Sequence, residues 1–121
     1  MVCKTFKKYR GVFFNNYGDN LNKEYAVSDL YKWFKENQSY FYSKEAEIEF
    51  KDSGRNSAFV RIETKAYLAE LSAWDHASCL DIQIIEIDSD KTTFPHTGVC
   101  ESKTVFQSHL HNFLLWFESV V

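Results

Sequence analysis

The stretch AYLAELSAWDHASCLDIQIIEID, residues 66–88, decides the fold because it holds two strand-like runs joined by a short turn. Apolar residues at odd positions from Tyr67 to Ala73 alternate with a mixed set at even positions, as in a strand with one buried face. The turn WDHAS leads into CLDIQIIEID, whose polar residues change phase at Ile84-Ile85. We predict an antiparallel hairpin with a β-bulge at that point, and a strand covered on both sides is the alternative.

Strand patterns continue on both sides of this hairpin. EAEIEFKD (45–52) and SAFVRIE (57–63) alternate with the same period of two and are separated by turn-forming residues. After a second turn, KTTFPHTGVC (91–100) predicts a shorter last strand, and Pro95 places it at an edge or interrupts it. The result is a meander of four or five antiparallel strands.

Helical spacing of apolar residues appears before and after the strands. Aromatic residues three or four apart predict a first helix within residues 6–21, and a second helix is expected to begin near Ser28 as N-cap. Residues 37–43 are ambiguous between a frayed helix end and a loop. Ser102 caps a last helix, whose apolar stripe is Phe106, Leu110, Phe113, Leu114 and Phe117.

These elements predict one domain of the α+β class spanning residues 1–121. Its antiparallel four- to five-stranded meander sheet has N-terminal helices and a C-terminal helix packed on one face. A length of 121 residues and a hydrophobic content of 45% suit one domain with one core. No apolar run has the roughly 18 residues of a membrane span. The start of the chain lacks the apolar stretch of a signal peptide, so we expect a cytoplasmic protein.

Charge is distributed unevenly along the chain, whose net charge is −3. Residues 1–44 have eight basic and four acidic residues, and residues 45–90 have four basic and eleven acidic residues. This acidic middle argues against nucleic-acid binding by the sheet and is compatible with a basic protein partner.

Motifs for catalysis or metal binding are weak. His109 and His111 are two apart on a helix and point in different directions, and neither His76 nor His96 has a second ligand at a familiar spacing. We therefore predict no metal site and no cofactor. The sequence has no G-x-S-x-G motif and no Gly-rich phosphate loop, so no catalytic residues are assigned.

The open face of the predicted sheet is the candidate site. It combines acidic side chains with large apolar ones, a pattern typical of protein-binding surfaces, although a solvated sheet is also polar on its open side. The predicted binding residues are Glu47, Glu49, Arg61, Glu63, Glu70, Trp74, Asp75 and Asp81.

Several segments resemble the TriTu group of immunity proteins from bacterial polymorphic-toxin systems, including contact-dependent growth inhibition. They are LYKWF (30–34), residues 66–88, HTGVCES (96–102) and FQSHLHNFLLWF (106–117). The resemblance covers about residues 28–118 and implies a cytoplasmic inhibitor without catalytic residues. Such a protein binds the C-terminal toxin domain of a cognate effector, often a nuclease, and blocks its active site or substrate groove.

Two other functions are compatible with the sequence. One is a small cone-shaped α+β enzyme or small-ligand-binding domain, which requires an enclosed cavity with an inward titratable group. The other is a structural or regulatory interaction module. An inhibitor instead requires an exposed Trp74 and a negatively charged sheet surface.

Overall fold

The computed structural model describes residues 25–121, which form two α-helices, one five-stranded sheet and a short 3-10 helix at His76–Ser78. The elements are α1 (Ala26–Ser43), β1 (Glu47–Asp52), β2 (Ser57–Glu63), β3 (Tyr67–Trp74), β4 (Cys79–Glu86), β5 (Lys91–His96) and α2 (Lys103–Val120). The strands are antiparallel and follow the order β1-β2-β3-β4-β5. This confirms the predicted α+β class and meander. The helix predicted within residues 6–21 lies outside the described residues, and the single domain over 1–121 stays a prediction.

Helix α1 is longer than the sequence predicts. It begins at Ala26 rather than near Ser28, and Ser28 instead donates its hydroxyl hydrogen bond to the carbonyl of Tyr25 at 3.0 Å. The ambiguous residues 37–43 are helical to their end. Within residues 25–121, neither helix has the length and hydropathy that a membrane span requires.

The core lies between the inner face of the sheet and the two helices. Alternate strand residues point into it, as the period of two predicts. They are joined in one buried cluster by the apolar stripes of α1 and α2. The central strand residues of this cluster are Ile48, Val60, Ile62, Ala69, Leu71, Leu80, Ile82 and Ile84.

Aromatic rings form the contact between the helices. The ring centroids of Phe41 and Phe117 are 4.6 Å apart, and Trp33 lies 6.1 Å from Phe113, both with edge-on geometry. Such pairs are worth about 0.5–1.5 kcal/mol beyond their area burial. They fix which stripe of each helix faces the sheet.

A buried polar contact also joins the helices. Asp29 in the first turn of α1 is buried, and its carboxylate accepts a hydrogen bond from Gln107 Nε2 at 3.1 Å. Lys103 Nζ lies 3.7 Å from the other carboxylate oxygen. Because a buried carboxylate is costly without partners, these contacts constrain the position of α2 against α1.

The β-bulge predicted in β4 is wrong in its position. Pairing of β3 with β4 is continuous from Trp74 opposite Cys79 to Tyr67 opposite Glu86. The register shift occurs between β4 and β5, where Gln83 of β4 faces both Phe94 and Pro95 of β5. Pro95 has no N–H to donate to a ladder, so an extra residue at this edge strand disrupts the pairing least.

We predict that Leu110→Ala lowers the free energy of unfolding by about 2–5 kcal/mol because it removes a large side chain from the core. Leu110 is only 2% exposed. Leu115→Ala is the matched control on the same helix, since Leu115 is 50% exposed and should change stability by less than about 0.5 kcal/mol. Urea denaturation of both variants measures the difference, and equal losses would show that the packing of α2 is misassigned.

Candidate functional site

Charged side chains occupy the outer face of β1, β2 and β3 in a cross-strand ladder. Glu49 of β1 lies directly opposite Arg61 of β2, and Arg61 lies opposite Glu70 of β3. Two residues earlier in β1, Glu47 lies directly opposite Glu63 of β2. We call Glu47, Glu49, Glu63 and Glu70 the acidic patch.

The acidic patch is accessible to a partner. Glu47, Glu49 and Glu63 are exposed, and Glu70 is half-buried. The cation among them is Arg61, so the five side chains carry three net negative charges at neutral pH. Lys51 lies on the same face but one pair further along, opposite Phe59. The patch is therefore a local source of negative potential.

Arg61 is held in place by two neighbours. Its Nη2 lies 3.4 Å from Glu70 Oε2, and its guanidinium carbon lies 5.8 Å from the ring centroid of Phe59. Exposed ion pairs contribute little stability, so this contact orients the guanidinium more than it stabilises the fold. Phe59, an apolar residue on the open face, thereby acts as a support for Arg61.

An open depression of about 390 Å³ lies beside the patch. It is lined by Tyr42, Glu47, Ile48, Glu49, Arg61 and Glu63. Tyr42 is 54% exposed and comes from the last turn of α1. The sequence does not predict Tyr42 as a site residue, because residues 37–43 are ambiguous between a helix end and a loop. Only the full length of α1 brings the ring to the depression.

Trp74 contributes less to this surface than predicted. Its side chain is half-buried and packs against the buried pair Ala77 and Cys79 around the turn after β3. Trp74 lies opposite Ser57 at the end of β2 away from Glu63. The accessible aromatic ring next to the acidic patch is that of Tyr42.

Asp75 has a structural partner within the fold. Its Oδ1 accepts a hydrogen bond from the backbone N–H of Val27 at 2.9 Å. This N–H is in the first turn of α1, where no intrahelical acceptor exists, and the N-cap residue Tyr25 makes no side-chain cap. Asp75 therefore caps α1 from a distant part of the chain.

The predicted exposure of Asp81 is wrong. The residue is on the predicted face, opposite Ser72, but it is 2% exposed. Its Oδ1 accepts a hydrogen bond at 2.9 Å from the backbone N–H of Gly98, in the connection between β5 and α2. That connection runs beside the start of β4, where Cys79 pairs with Val99. Asp81 thus holds a loop, and a partner cannot reach it directly.

Among residues 25–121, one other group of side chains has potential chemistry. Potential ligand atoms of His96, Cys100 and His109 all lie within 4.8 Å of one another. Burial, with the nearby Asp81 carboxylate, raises the pKa of the Cys100 thiol to about 12. Burial, with the neighbouring His96 ring, lowers the pKa of His109. Both shifts favour the neutral form of the side chain.

Comparison with known proteins identifies a family. The family model described as "Immunity protein TriTu" matches residues 28–116, which is more than half of the chain. Comparison with curated proteins and with solved structures gave no match.

We predict that Asp75→Ala lowers the free energy of unfolding by about 0.5–2 kcal/mol, because the N–H of Val27 loses its acceptor. Asp75→Asn keeps an acceptor oxygen and should retain most of that stability. Thermal denaturation of the two variants distinguishes loss of the capping hydrogen bond from loss of the negative charge. A loss of the same size in Asp75→Asn would contradict capping as the reason.

Proposed function

Because the chain belongs to the TriTu family of immunity proteins, we propose that it binds and neutralises a cognate bacterial toxin domain through the acidic patch and Tyr42. Neutralisation in this proposal requires binding alone. The toxin's active site or substrate groove is covered, and no residue of this protein performs a reaction.

The observation that carries the proposal is the direct pairing of Glu47 with Glu63 across β1 and β2. Like charges at opposite positions of an antiparallel pair destabilise the sheet. Folding alone therefore disfavours this pair, whereas a cationic partner would neutralise it. The adjoining depression and the exposed ring of Tyr42 provide the shape and the apolar surface that charge alone lacks.

The chemistry of the patch specifies a basic partner. The depression is lined by Glu47, Glu49, Glu63 and Arg61, which together carry two net negative charges and favour a Lys or Arg side chain of the partner. The tyrosine ring at its edge adds a cation–π contact. Nuclease grooves are basic because they hold phosphates, so we propose a nuclease toxin of a contact-dependent growth inhibition system. The inhibitor would act in the cytoplasm of the toxin-producing cell and its siblings.

The enzyme alternative gains little from the described residues. The inward-facing residues of β1 to β4 are mainly apolar, and they pack against α1 and α2 in one cluster. The carboxylates of the acidic patch lie on the opposite face of the sheet, away from this interior. A general acid and base within an enclosed chamber is not the arrangement that these strands present.

The proposal as a whole is tested by co-expression with the toxin domain encoded directly upstream, where an immunity gene is expected to follow its toxin gene. Cells that express both proteins should grow, and the two proteins should co-purify. Growth arrest despite soluble inhibitor, with no complex formed, would overturn the proposal.

We predict that Glu63→Lys stabilises the fold but slows association with the toxin. The variant converts a repulsive cross-strand pair into an attractive one, so the free energy of unfolding should rise by about 0.2–1 kcal/mol. Association with the toxin should slow at low ionic strength, since charge steering is lost, and the difference should diminish as salt is added. Denaturation and stopped-flow binding measure the two effects.

The matched control is Glu36→Lys, which makes the same charge change at an exposed position of α1 on the other side of the sheet. It should leave the association rate nearly unchanged. If both variants slow association equally, net charge rather than the acidic patch governs binding. If neither does, the toxin binds elsewhere.

We predict that Tyr42→Ala weakens toxin binding by more than about 1 kcal/mol, as expected for an exposed aromatic ring that anchors an interface. Its effect should lie mainly in the dissociation rate, in contrast to the charge variant. Leu115→Ala removes an equally exposed apolar side chain from α2 and serves as control. Unchanged dissociation in Tyr42→Ala would exclude the depression from the interface.

A further inference from the structure

Three side chains that are distant in sequence converge where β5 meets α2. His96 ends β5, Cys100 lies in the following connection, and His109 is on α2. Their potential ligand atoms, one from each residue, all lie within 4.8 Å of one another. We propose that these residues bind one divalent transition-metal ion, with Zn²⁺ as the chemical match, and so fasten edge strand β5 to α2.

The donor set fits zinc. Two imidazole nitrogens and one thiolate are the borderline-soft ligands that Zn²⁺ takes in tetrahedral sites, and hard cations such as Mg²⁺ avoid them. Three protein ligands leave the fourth position to water.

His96 is already oriented as metal-binding histidines are. Its Nδ1 lies 2.7 Å from the backbone carbonyl oxygen of Leu80. A carbonyl only accepts, so Nδ1 carries a hydrogen, and Nε2 is the nitrogen left to bind a metal. A second hydrogen bond of this kind fixes the tautomer and ring orientation of metal ligands.

Cys100 is held rigidly at the same place. Its backbone N–H donates to the carbonyl of Ser78 at 3.0 Å, and the neighbouring Gly98 carbonyl accepts from Leu80 N–H at 2.9 Å. The side chain is a free thiol and is 1% exposed. Such burial makes it a poor nucleophile, because attack requires a thiolate that substrates can reach. A metal ion instead displaces the thiol proton on binding.

Binding requires a small rearrangement. The rings of His96 and His109 are stacked with centroids 3.9 Å apart and planes tilted by 31°. Lone pairs of stacked rings point side by side, so at least one ring must turn. Zinc bond lengths and tetrahedral angles imply ligand separations of roughly 3.3–3.6 Å, so shifts on the order of 1 Å complete the site. His109 is half-buried, so part of its ring faces solvent.

The location gives the ion a structural role. β5 is an edge strand, its pairing with β4 is shifted near Pro95, and five of its six residues are exposed. A metal bound by His96 and His109 links this weakly held strand to α2, whose stripe is part of the core. The site lies at the β5 edge of the sheet, away from the acidic patch on β1 to β3.

The test uses the full chain, stripped of metal with a chelator and titrated with Zn²⁺ by calorimetry and with Co²⁺ by absorption spectroscopy. We expect one equivalent of Zn²⁺, an increase in the melting temperature, and a cobalt–thiolate charge-transfer band in the near ultraviolet. Failure to bind one equivalent, or a cobalt spectrum without the thiolate band, overturns the proposal.

Variants identify the ligands. Cys100→Ser should abolish the thiolate band, and His109→Gln should weaken Zn²⁺ binding at least tenfold. His111→Gln is the matched control, since His111 is exposed two residues further along α2. Because Cys100 is buried, circular dichroism must show that the Cys100→Ser variant folds. His109→Gln tests the site independently, at a half-buried position. Equal weakening in His109→Gln and His111→Gln would assign binding to surface histidines and overturn the proposal.

Discussion

Burial of one face of the sheet beneath two helices is the constraint on which this structure depends. Strands β1 to β4 alternate apolar and other residues, and each strand can hide its apolar half only if something covers it. The edge-on contacts of Phe41 with Phe117 and of Trp33 with Phe113 hold α1 and α2 together as that cover. Because the register of every strand must serve the same inner face, the outer face is specified as well.

The outer face is thereby divided into two regions with different roles. Near the turn after β3, Asp75 and Asp81 accept backbone hydrogen bonds and Trp74 packs against its neighbours. At the opposite end, Glu47 and Glu63 face each other at exposed positions. The sequence does not distinguish these two sets of acidic residues. One set accepts hydrogen bonds within the fold, and the other remains exposed to a partner.

The toxin inhibitor that we propose would benefit from such a division. A rigid sheet keeps its charged side chains in a fixed arrangement, which reduces the entropy that binding must overcome. The same sheet has a weakly paired edge at β5, and the group formed by His96, Cys100 and His109 lies where that edge needs support. In these two proposals, toxin recognition and metal binding use separate parts of the sheet.

Much of this architecture follows from local patterns in the sequence. Alternation with period two predicts the strands, helical stripes predict α2, and the sum predicts an α+β meander. The segments that resemble the TriTu family also agree with the family found over residues 28–116. Local patterns suffice here because one-sided burial imposes the same periodicity on every element that contributes to the core.

Contacts between distant residues were decided by the tertiary structure alone. The sequence predicts which face Asp81 occupies, but only the folded connection after β5 places the N–H of Gly98 against it. Three other contacts also join residues from different elements. Asp75 caps α1, Tyr42 lies beside the acidic patch, and the ring of His96 stacks on that of His109. Periodicity determines the direction of a side chain, whereas its partners depend on how the elements pack in three dimensions.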